Sequence, residues 1–169
     1  MTPSVFAWNI RCFICKTAAA RDKAGRAGPQ VLKALASRQG GKATLAPFPV
    51  RLWPEKFREP DAVLMKKEHL HRCQKKYWDG ADLAVEVLSD SNRDSDLDTK
   101  PVEYAKPVEY ARAGIPEYWI VDPEKGAITV LVLDGGKYAV HGLFQRGQVA
   151  TSKALAELQV DVTSLMDAE

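Results

Sequence analysis

Residues 80–106 read GADLAVEVLSDSNRDSDLDTKPVEYAK, and this stretch decides the fold. Its first part, Leu83–Leu88, is apolar except for Glu86, a pattern that predicts a buried strand. Removing an unpaired ionised carboxylate from water is very unfavourable, so we expect Glu86 to be neutralised, paired with a cation or bound to a metal ion. The run of serine, aspartate and asparagine that follows is typical of a turn. It leads to a segment whose Lys100 and Lys106 could fold back over the same end of the sheet.

The composition is that of a globular protein. The 169 residues are 46% hydrophobic and 27% charged, which favours one domain over residues 29–169 behind a poorly defined segment at residues 1–28. A net charge of +2 is too small to indicate a nucleic-acid partner by itself. No apolar run approaches the roughly 20 residues of a membrane span, so the sequence predicts that the chain does not cross a bilayer.

The cysteines favour a reducing compartment. Cys12, Cys15 and Cys73 are an odd number without the framework of a secreted protein, and we therefore expect a cytoplasmic protein. Cys12 and Cys15 are spaced like one half of a zinc site, but no second ligand pair with matching spacing follows. We interpret them as free thiols.

The periodicity along the chain predicts an α/β (α+β) domain, with a mixed sheet flanked by helices and a C-terminal β-hairpin. One helix is expected from Pro29 to Gly40, and another is expected to end at Gly114. Residues 43–53 should form a twisted or edge strand, and the polar residues 66–79 are interpreted as a solvated connector. The other predicted strands are Ala62–Met65, Asp82–Ser89, Glu117–Val121 and the hairpin arms 127–133 and 137–144 around Asp134, Gly135 and Gly136.

The hexamer KPVEYA occurs twice in succession, at Lys100–Ala105 and Lys106–Ala111. Proline is tolerated in the first turn of a helix, but inside a helix it removes a backbone hydrogen bond and costs about 3 kcal/mol. A helix that began at Pro101 would contain Pro107. Either the helix kinks at Pro107, or one copy loops out and the helix begins near Pro107, and we expect the second.

Two carboxylates are candidates for one metal site. If the strands that begin at Asp61 and Asp82 are antiparallel neighbours, the start of one lies beside the end of the other, and Asp61 falls near Glu86. Asp82 lies four residues from Glu86, roughly 13 Å along a strand at 3.3 Å per residue, so those two cannot share an ion. Hard oxygen ligands with few protein partners suit Mg²⁺, which helps water to attack a phosphodiester.

The motifs GADLAVEVLSDSN, DLDTK, YARAGIPEYWIVDP and the earlier EPDAVL, in this order, closely resemble a bacterial family named putative restriction endonucleases, of the PD-(D/E)XK nuclease superfamily. The resemblance extends from about Val31 to Leu165. It implies a core of restriction-endonuclease type, hydrolysis of DNA phosphodiesters and dependence on Mg²⁺, with Mn²⁺ as a substitute. DNA is the implied partner. Enzymes that cut both strands are commonly dimers, and by that analogy a homodimer is one expectation.

The resemblance also implies which residues form the site. Asp61 of EPDAVL takes the place of the family's first carboxylate and Glu86 of VEVLS that of the second, with the backbone carbonyl of Val87 as a further metal ligand. The superfamily's usual lysine is replaced by Leu88. A lysine on the following helix is its expected substitute, and the duplication leaves two candidates, Lys100 by its upstream flank and Lys106 by its downstream flank.

The N-terminal region departs from the family pattern. The Tyr-Glu-Leu segment and the further acidic residue that the family carries there have no counterpart in residues 1–30. Two alternatives to the endonuclease therefore stay open. One is a catalytically inactive protein of nuclease fold that acts as a DNA- or protein-binding module. The other is a structural protein without DNA affinity.

Overall fold

The computed structural model describes residues 40–88, 102–155 and 157–167. A 3-10 helix spans Lys67–Arg72. Two α-helices are described, α1 (Val102–Arg112) and α2 (Val162–Asp167). The strands are β1 (Lys42–Leu45), β2 (Val50–Trp53), β3 (Lys56–Arg58), β4 (Ala62–Met65), β5 (Trp78–Asp79), β6 (Leu83–Val87), β7 (Glu117–Asp122), β8 (Ala127–Asp134), β9 (Lys137–Gln145), β10 (Val149–Thr151) and β11 (Gln159–Asp161). The predicted helix at Pro29 and both N-terminal cysteines lie outside the described residues.

A six-stranded mixed sheet forms the centre of the molecule, in the order β1-β4-β6-β7-β8-β9. The pair β6 and β7 is parallel, and all other neighbours in this sheet are antiparallel. The expected antiparallel pairing of the two strands that carry the candidate carboxylates is confirmed, with Ala62 opposite Val85. The α+β class is also confirmed.

The central strands are buried on both faces, which explains the continuous apolar character of β6. Because successive side chains of a strand point to opposite faces, β6 contributes to two cores. One face packs against the C-terminal segment through Leu83, Val85, Val87, Trp119, Val121, Ile128, Leu158, Val160 and Leu165. The other packs against α1 and a small sheet through Val50, Val63, Met65, Trp78, Ala84, Tyr110, Ile115 and Tyr118.

The small sheet has three strands, in the order β3-β2-β5, and the sequence did not predict it. The expected strand over residues 43–53 is two strands: β1 is an edge of the main sheet, whereas β2 belongs to the small one. The break falls at Pro47 and Pro49, because proline has no N–H to donate to a neighbouring strand. The interpretation of residues 66–79 as a solvated connector is wrong at β5, where Trp78 is 5% exposed and belongs to the second core.

The expected start of the helix near Pro107 is also wrong. Helix α1 includes residues 102–105 of the first KPVEYA copy, and Pro107 lies inside it. Pro107 cannot donate to the carbonyl of Glu103, but the helix is held by contacts on either side of it. Tyr110 and Ala111 are buried, and Lys106 is paired with a carboxylate of the sheet.

The turns that the sequence predicted by their glycines are confirmed. Gly135 and Gly136 join β8 to β9 with φ values of 53° and 83°, which a two-residue hairpin turn requires. Gly114, with φ 73°, ends α1 in a Schellman motif. In this motif the amide of Gly114 donates to the carbonyl of Ala111 and the amide of Ile115 donates to that of Tyr110.

Neither described α-helix has the length and hydrophobicity that crossing a bilayer requires. The C-terminal segment instead crosses one face of the sheet, where the fully buried Glu117 holds it. The side chain of Glu117 accepts hydrogen bonds from the amides of Lys153 and Ala154 at 2.8 and 2.7 Å. This contact fixes the layer opposite α1.

Candidate active site

Asp61 and Glu86 face each other at the end of the β4–β6 pair. Ala62 is opposite Val85, so continuing the register by one residue brings Asp61 opposite Glu86. Oδ2 of Asp61 accepts a hydrogen bond of 2.7 Å from the amide of Val87, which ties the two strand ends together. Residues directly opposite in an antiparallel pair share a face, with about 4.5–5.5 Å between their Cβ atoms. Both carboxylates therefore lie on the face that α1 covers.

Glu86 is buried, and helix α1 supplies a partner to each of its oxygens. Nζ of Lys106 lies 2.8 Å from Oε2, and the hydroxyl of Tyr110 donates to Oε1 at 2.7 Å. Burial raises the pKa of Glu86, and the negative charge of Asp61 raises it further, against the opposing effects of Lys106 and Tyr110. The sequence predicted that this carboxylate would be neutralised, paired or metal-bound, and the structure shows it paired.

The pKa of Asp61 is subject to the same opposing influences, burial and the charge of Lys106, as that of Glu86. Burial raises its pKa, while the amide of Val87 and the charge of Lys106 lower it. Lys106 is therefore close enough to influence both carboxylates. Within the described ranges, Asp61 Oδ2 accepts the hydrogen bond from Val87, and no hydrogen bond to Asp61 Oδ1 is found.

The donor atoms fit a hard divalent cation that keeps most of its water. In the part of the chain that the structure describes, no three His, Cys, Asp or Glu side chains converge on a point where they could hold a metal. Two carboxylates are present, and they are oxygen ligands of the kind that Mg²⁺ binds while retaining several waters. The N–H and C=O of one strand residue point to the same side, so the Val87 carbonyl is directed towards β4, as its amide is. These groups fit Mg²⁺ better than zinc, which prefers nitrogen and sulfur ligands.

The sequence also singled out Lys100 and Asp82. Lys100 lies outside the described residues, so of the two lysine candidates only Lys106 can be placed. Asp82 is at the opposite end of β6, where it accepts hydrogen bonds from the amide of Lys66 and from Nδ1 of His69, each at 2.7 Å. It holds the start of the 3-10 helix against the sheet.

Sequence reasoning missed Tyr110. It is fully buried, with its hydroxyl on the carboxylate and its ring 5.2 Å from that of Tyr118 in an edge-to-face contact. Burial and the charge of Glu86 raise its pKa far above the ordinary range, so the hydroxyl remains a donor. The signal that could have found it is spacing, because Lys106 and Tyr110 are four residues apart and such residues share a helix face.

The small sheet fixes the position of α1 beside the site. Glu109 of the helix is bound by two cations of β3, Lys56 at 2.7 Å and Arg58 at 2.6 Å. The guanidinium of Arg112 lies 4.5 Å from the ring centroid of Trp53, a cation–π contact. These contacts hold the helix in the rotation that turns Lys106 and Tyr110 towards Glu86.

Comparisons with known proteins agree with this architecture. The model of the Uma2 family, described as "Putative restriction endonuclease", matches residues 18–163. A crystal structure of a putative nuclease of DUF820 from Anabaena variabilis is similar, with a TM-score of 0.61 and 13% sequence identity over 98% of this chain and 83% of that chain. At that identity the likeness shows a shared fold. The comparison with curated proteins finds no match. Because the family model spans most of the chain, this protein belongs to the Uma2 family of putative restriction endonucleases.

Proposed function

We propose that this protein is a Mg²⁺-dependent endonuclease that hydrolyses DNA phosphodiester bonds, with Mn²⁺ as a substitute ion. One observation carries the proposal: the half-buried Asp61, at the start of β4, and the buried Glu86 of β6 share a face, and a lysine from the adjoining helix pairs with Glu86. Carboxylates with a nearby lysine are groups that can hold a divalent cation and handle a water molecule beside a phosphate. Membership of the family supports the same reaction class.

Asp61 and Glu86 would hold the cation through Asp61 Oδ1 and Glu86 Oε2, with the Val87 carbonyl as a third protein ligand. Bound Mg²⁺ would acidify a coordinated water and neutralise charge on the phosphate. The strand register and the Val87 amide keep the two carboxylates in place, so little reorganisation is needed when the cation binds.

We assign the site lysine to Lys106. Its ammonium group pairs with Glu86 Oε2 at 2.8 Å, and a cation held at that oxygen would compete with it. The released group would remain beside the carboxylates on α1. From there it can orient the attacking water or stabilise negative charge on the phosphorane.

Plasmid cleavage tests the proposal. Purified protein is incubated with supercoiled plasmid and Mg²⁺ or Mn²⁺, alongside Glu86→Gln and a control, Glu68→Gln, whose side chain is exposed on the 3-10 helix. We expect nicking by the wild type and by the control, no nicking with EDTA, and background nicking by Glu86→Gln. Equal nicking by wild type and Glu86→Gln would remove Glu86 from the reaction.

A second candidate function is an inactive nuclease fold that binds DNA or a protein. The observation in its favour is that Lys106 and Tyr110 already provide a partner to each oxygen of Glu86. Its signature would be salt-dependent DNA retention, with no cleavage at any concentration of either ion. Absence of both retention and cleavage would indicate the structural protein without DNA affinity.

A further inference from the structure

We infer that Tyr110 is a positioning residue of this site. Its hydroxyl holds Glu86 Oε1 inside the protein, so that Oε2 is the oxygen presented to Lys106 and, by extension of the proposed function, to the divalent cation. The role rests on that function, because it concerns how one proposed metal ligand is oriented. The supporting geometry is the 2.7 Å hydrogen bond from the Tyr110 hydroxyl to Oε1 and the 2.8 Å ion pair at Oε2.

Tyr110 is itself held firmly. Its side chain is fully buried, its ring meets Tyr118 edge to face with an interplanar angle of 63°, and its carbonyl accepts the amide of Ile115 in the Schellman motif that ends α1. A hydroxyl on such a support has little freedom. It can therefore impose an orientation on the group that it contacts.

Glu86 needs such support because the terminal torsion of a glutamate is broad. Rotation about that bond exchanges the two oxygens or turns the carboxylate plane away from Asp61. The Lys106 ammonium pairs with Oε2, the oxygen proposed for the cation, so a bound cation would compete with the restraint that this ammonium supplies. The Tyr110 contact is on the other oxygen and is compatible with a cation at Oε2. Hydrogen-bond partners of ligating carboxylates commonly set affinity in this way, and their loss costs about 10–100-fold.

Mn²⁺ binding to the full chain without DNA tests the inference. The dissociation constant is measured by electron paramagnetic resonance for the wild type, Tyr110→Phe, Glu86→Gln and Tyr138→Phe. Tyr138 is the control, because the hydroxyl of this half-buried side chain donates to the backbone carbonyl of Ile115 at 2.7 Å instead of to the carboxylate. Urea unfolding establishes that each variant is folded under the assay conditions.

We expect Tyr110→Phe to bind Mn²⁺ about 10–100-fold more weakly than the wild type. We expect Tyr138→Phe to stay within about twofold of the wild type, because the hydroxyl that it loses contacts only backbone. In cleavage assays the Tyr110→Phe defect should appear as a raised metal concentration for half-maximal rate, with the maximal rate approached at high Mn²⁺. If Tyr110 had only a structural role, Tyr110→Phe would lower stability, but it would not raise the metal concentration for half-maximal rate while leaving the maximal rate unchanged.

The outcomes distinguish this inference from the function on which it rests. If the wild type binds Mn²⁺ and Glu86→Gln does not, but Tyr110→Phe binds as tightly as the wild type, the inference alone is overturned. If the wild type does not bind Mn²⁺, or Glu86→Gln binds it equally well, the proposed metal site is wrong and the inference with it. Equal weakening in Tyr110→Phe and Tyr138→Phe would also overturn the inference, because any loss of a buried hydroxyl would then suffice.

Discussion

Glu86 is 6% exposed, and its surroundings show how the site tolerates a charge inside the protein. The ion pair with Lys106 and the hydrogen bond from Tyr110 offset the loss of water at both oxygens. The raised pKa of Glu86 shows that burial still outweighs them. A divalent cation that replaced the single charge of Lys106 would relieve this imbalance.

We expect that removing the Lys106 ammonium group lowers stability and DNA cleavage but strengthens metal binding. In Lys106→Met the buried carboxylate loses its partner, so we expect the free energy of unfolding without metal to fall by about 3 kcal/mol. We expect tighter Mn²⁺ binding, because no ammonium group competes for Oε2, and a large loss of DNA cleavage. Urea unfolding, Mn²⁺ titration and plasmid nicking measure the three quantities.

The same substitution at Lys100 is the natural comparison, because the two lysines begin identical hexamers. Lys100→Met should leave Mn²⁺ affinity near that of the wild type and lower cleavage far less than Lys106→Met. A cleavage defect confined to Lys100→Met would reassign the site lysine to the first copy of the repeat.

At the scale of elements, the ion pairs between α1 and the small sheet set the rotation of the helix about its axis. Lys56 and Arg58 lower the pKa of Glu109, with the hydrogen bond from Arg58 as the largest cause. A carboxyl group whose folded pKa is depressed stabilises the protein above its unfolded pKa of about 4.3, and this stabilisation is lost as the pH falls through the lower folded pKa.

We therefore predict a pH-dependent effect of Glu109→Gln. At pH 7 the variant should be less stable than the wild type by about 1 kcal/mol, since its partners are partly exposed and screened by water. The difference should shrink below about pH 4. Urea unfolding at pH 3 to 7 measures it, with Glu59→Gln, an exposed neighbour, as control. A difference that does not change with pH would show that the ion pairs contribute nothing to stability.

Some of these elements could be predicted from the sequence and others could not. Strands β4, β6 and β7 and the β8–β9 hairpin were predictable, because apolar runs and glycine turns are local signals. The small sheet was not, since β2 pairs with β5 across 24 intervening residues and β5 has only two residues. The start of α1 was predicted wrongly, because the cost of Pro107 is local while the contacts that offset it, at Glu86 and Glu109, come from the tertiary structure.

The site was predictable to a similar extent. Asp61 and Glu86 could be brought together from strand order alone, and the pairing is confirmed. Tyr110 was missed, because a tyrosine on a helix is a common core residue, and its four-residue spacing from Lys106 indicates a shared helix face but not which side chain it contacts. Only the depth of Glu86 beneath α1 distinguishes it.

At the scale of the whole molecule, the proposed site couples metal binding to stability. A ligand that binds only the folded state stabilises it by about 2.7 kcal/mol at a hundred times its dissociation constant. For a chain of this length that corresponds to a rise in melting temperature of about 5–10 °C. We predict such a rise with saturating Mn²⁺ for the wild type and none for the double variant Asp61→Asn, Glu86→Gln. Equal rises in both, measured by calorimetry, would place the bound ion elsewhere.

The tandem hexamer duplicates two residues of the proposed site. Lys100 and Tyr104 repeat the spacing of Lys106 and Tyr110, so the chain encodes the same lysine–tyrosine pair twice. Six residues of α-helix turn through about 600°, so on any one α-helix two pairs six residues apart would point about 120° apart. A single carboxylate can engage only one of them. Excising either hexamer would leave the same chain, and that chain would still carry one complete lysine–tyrosine pair.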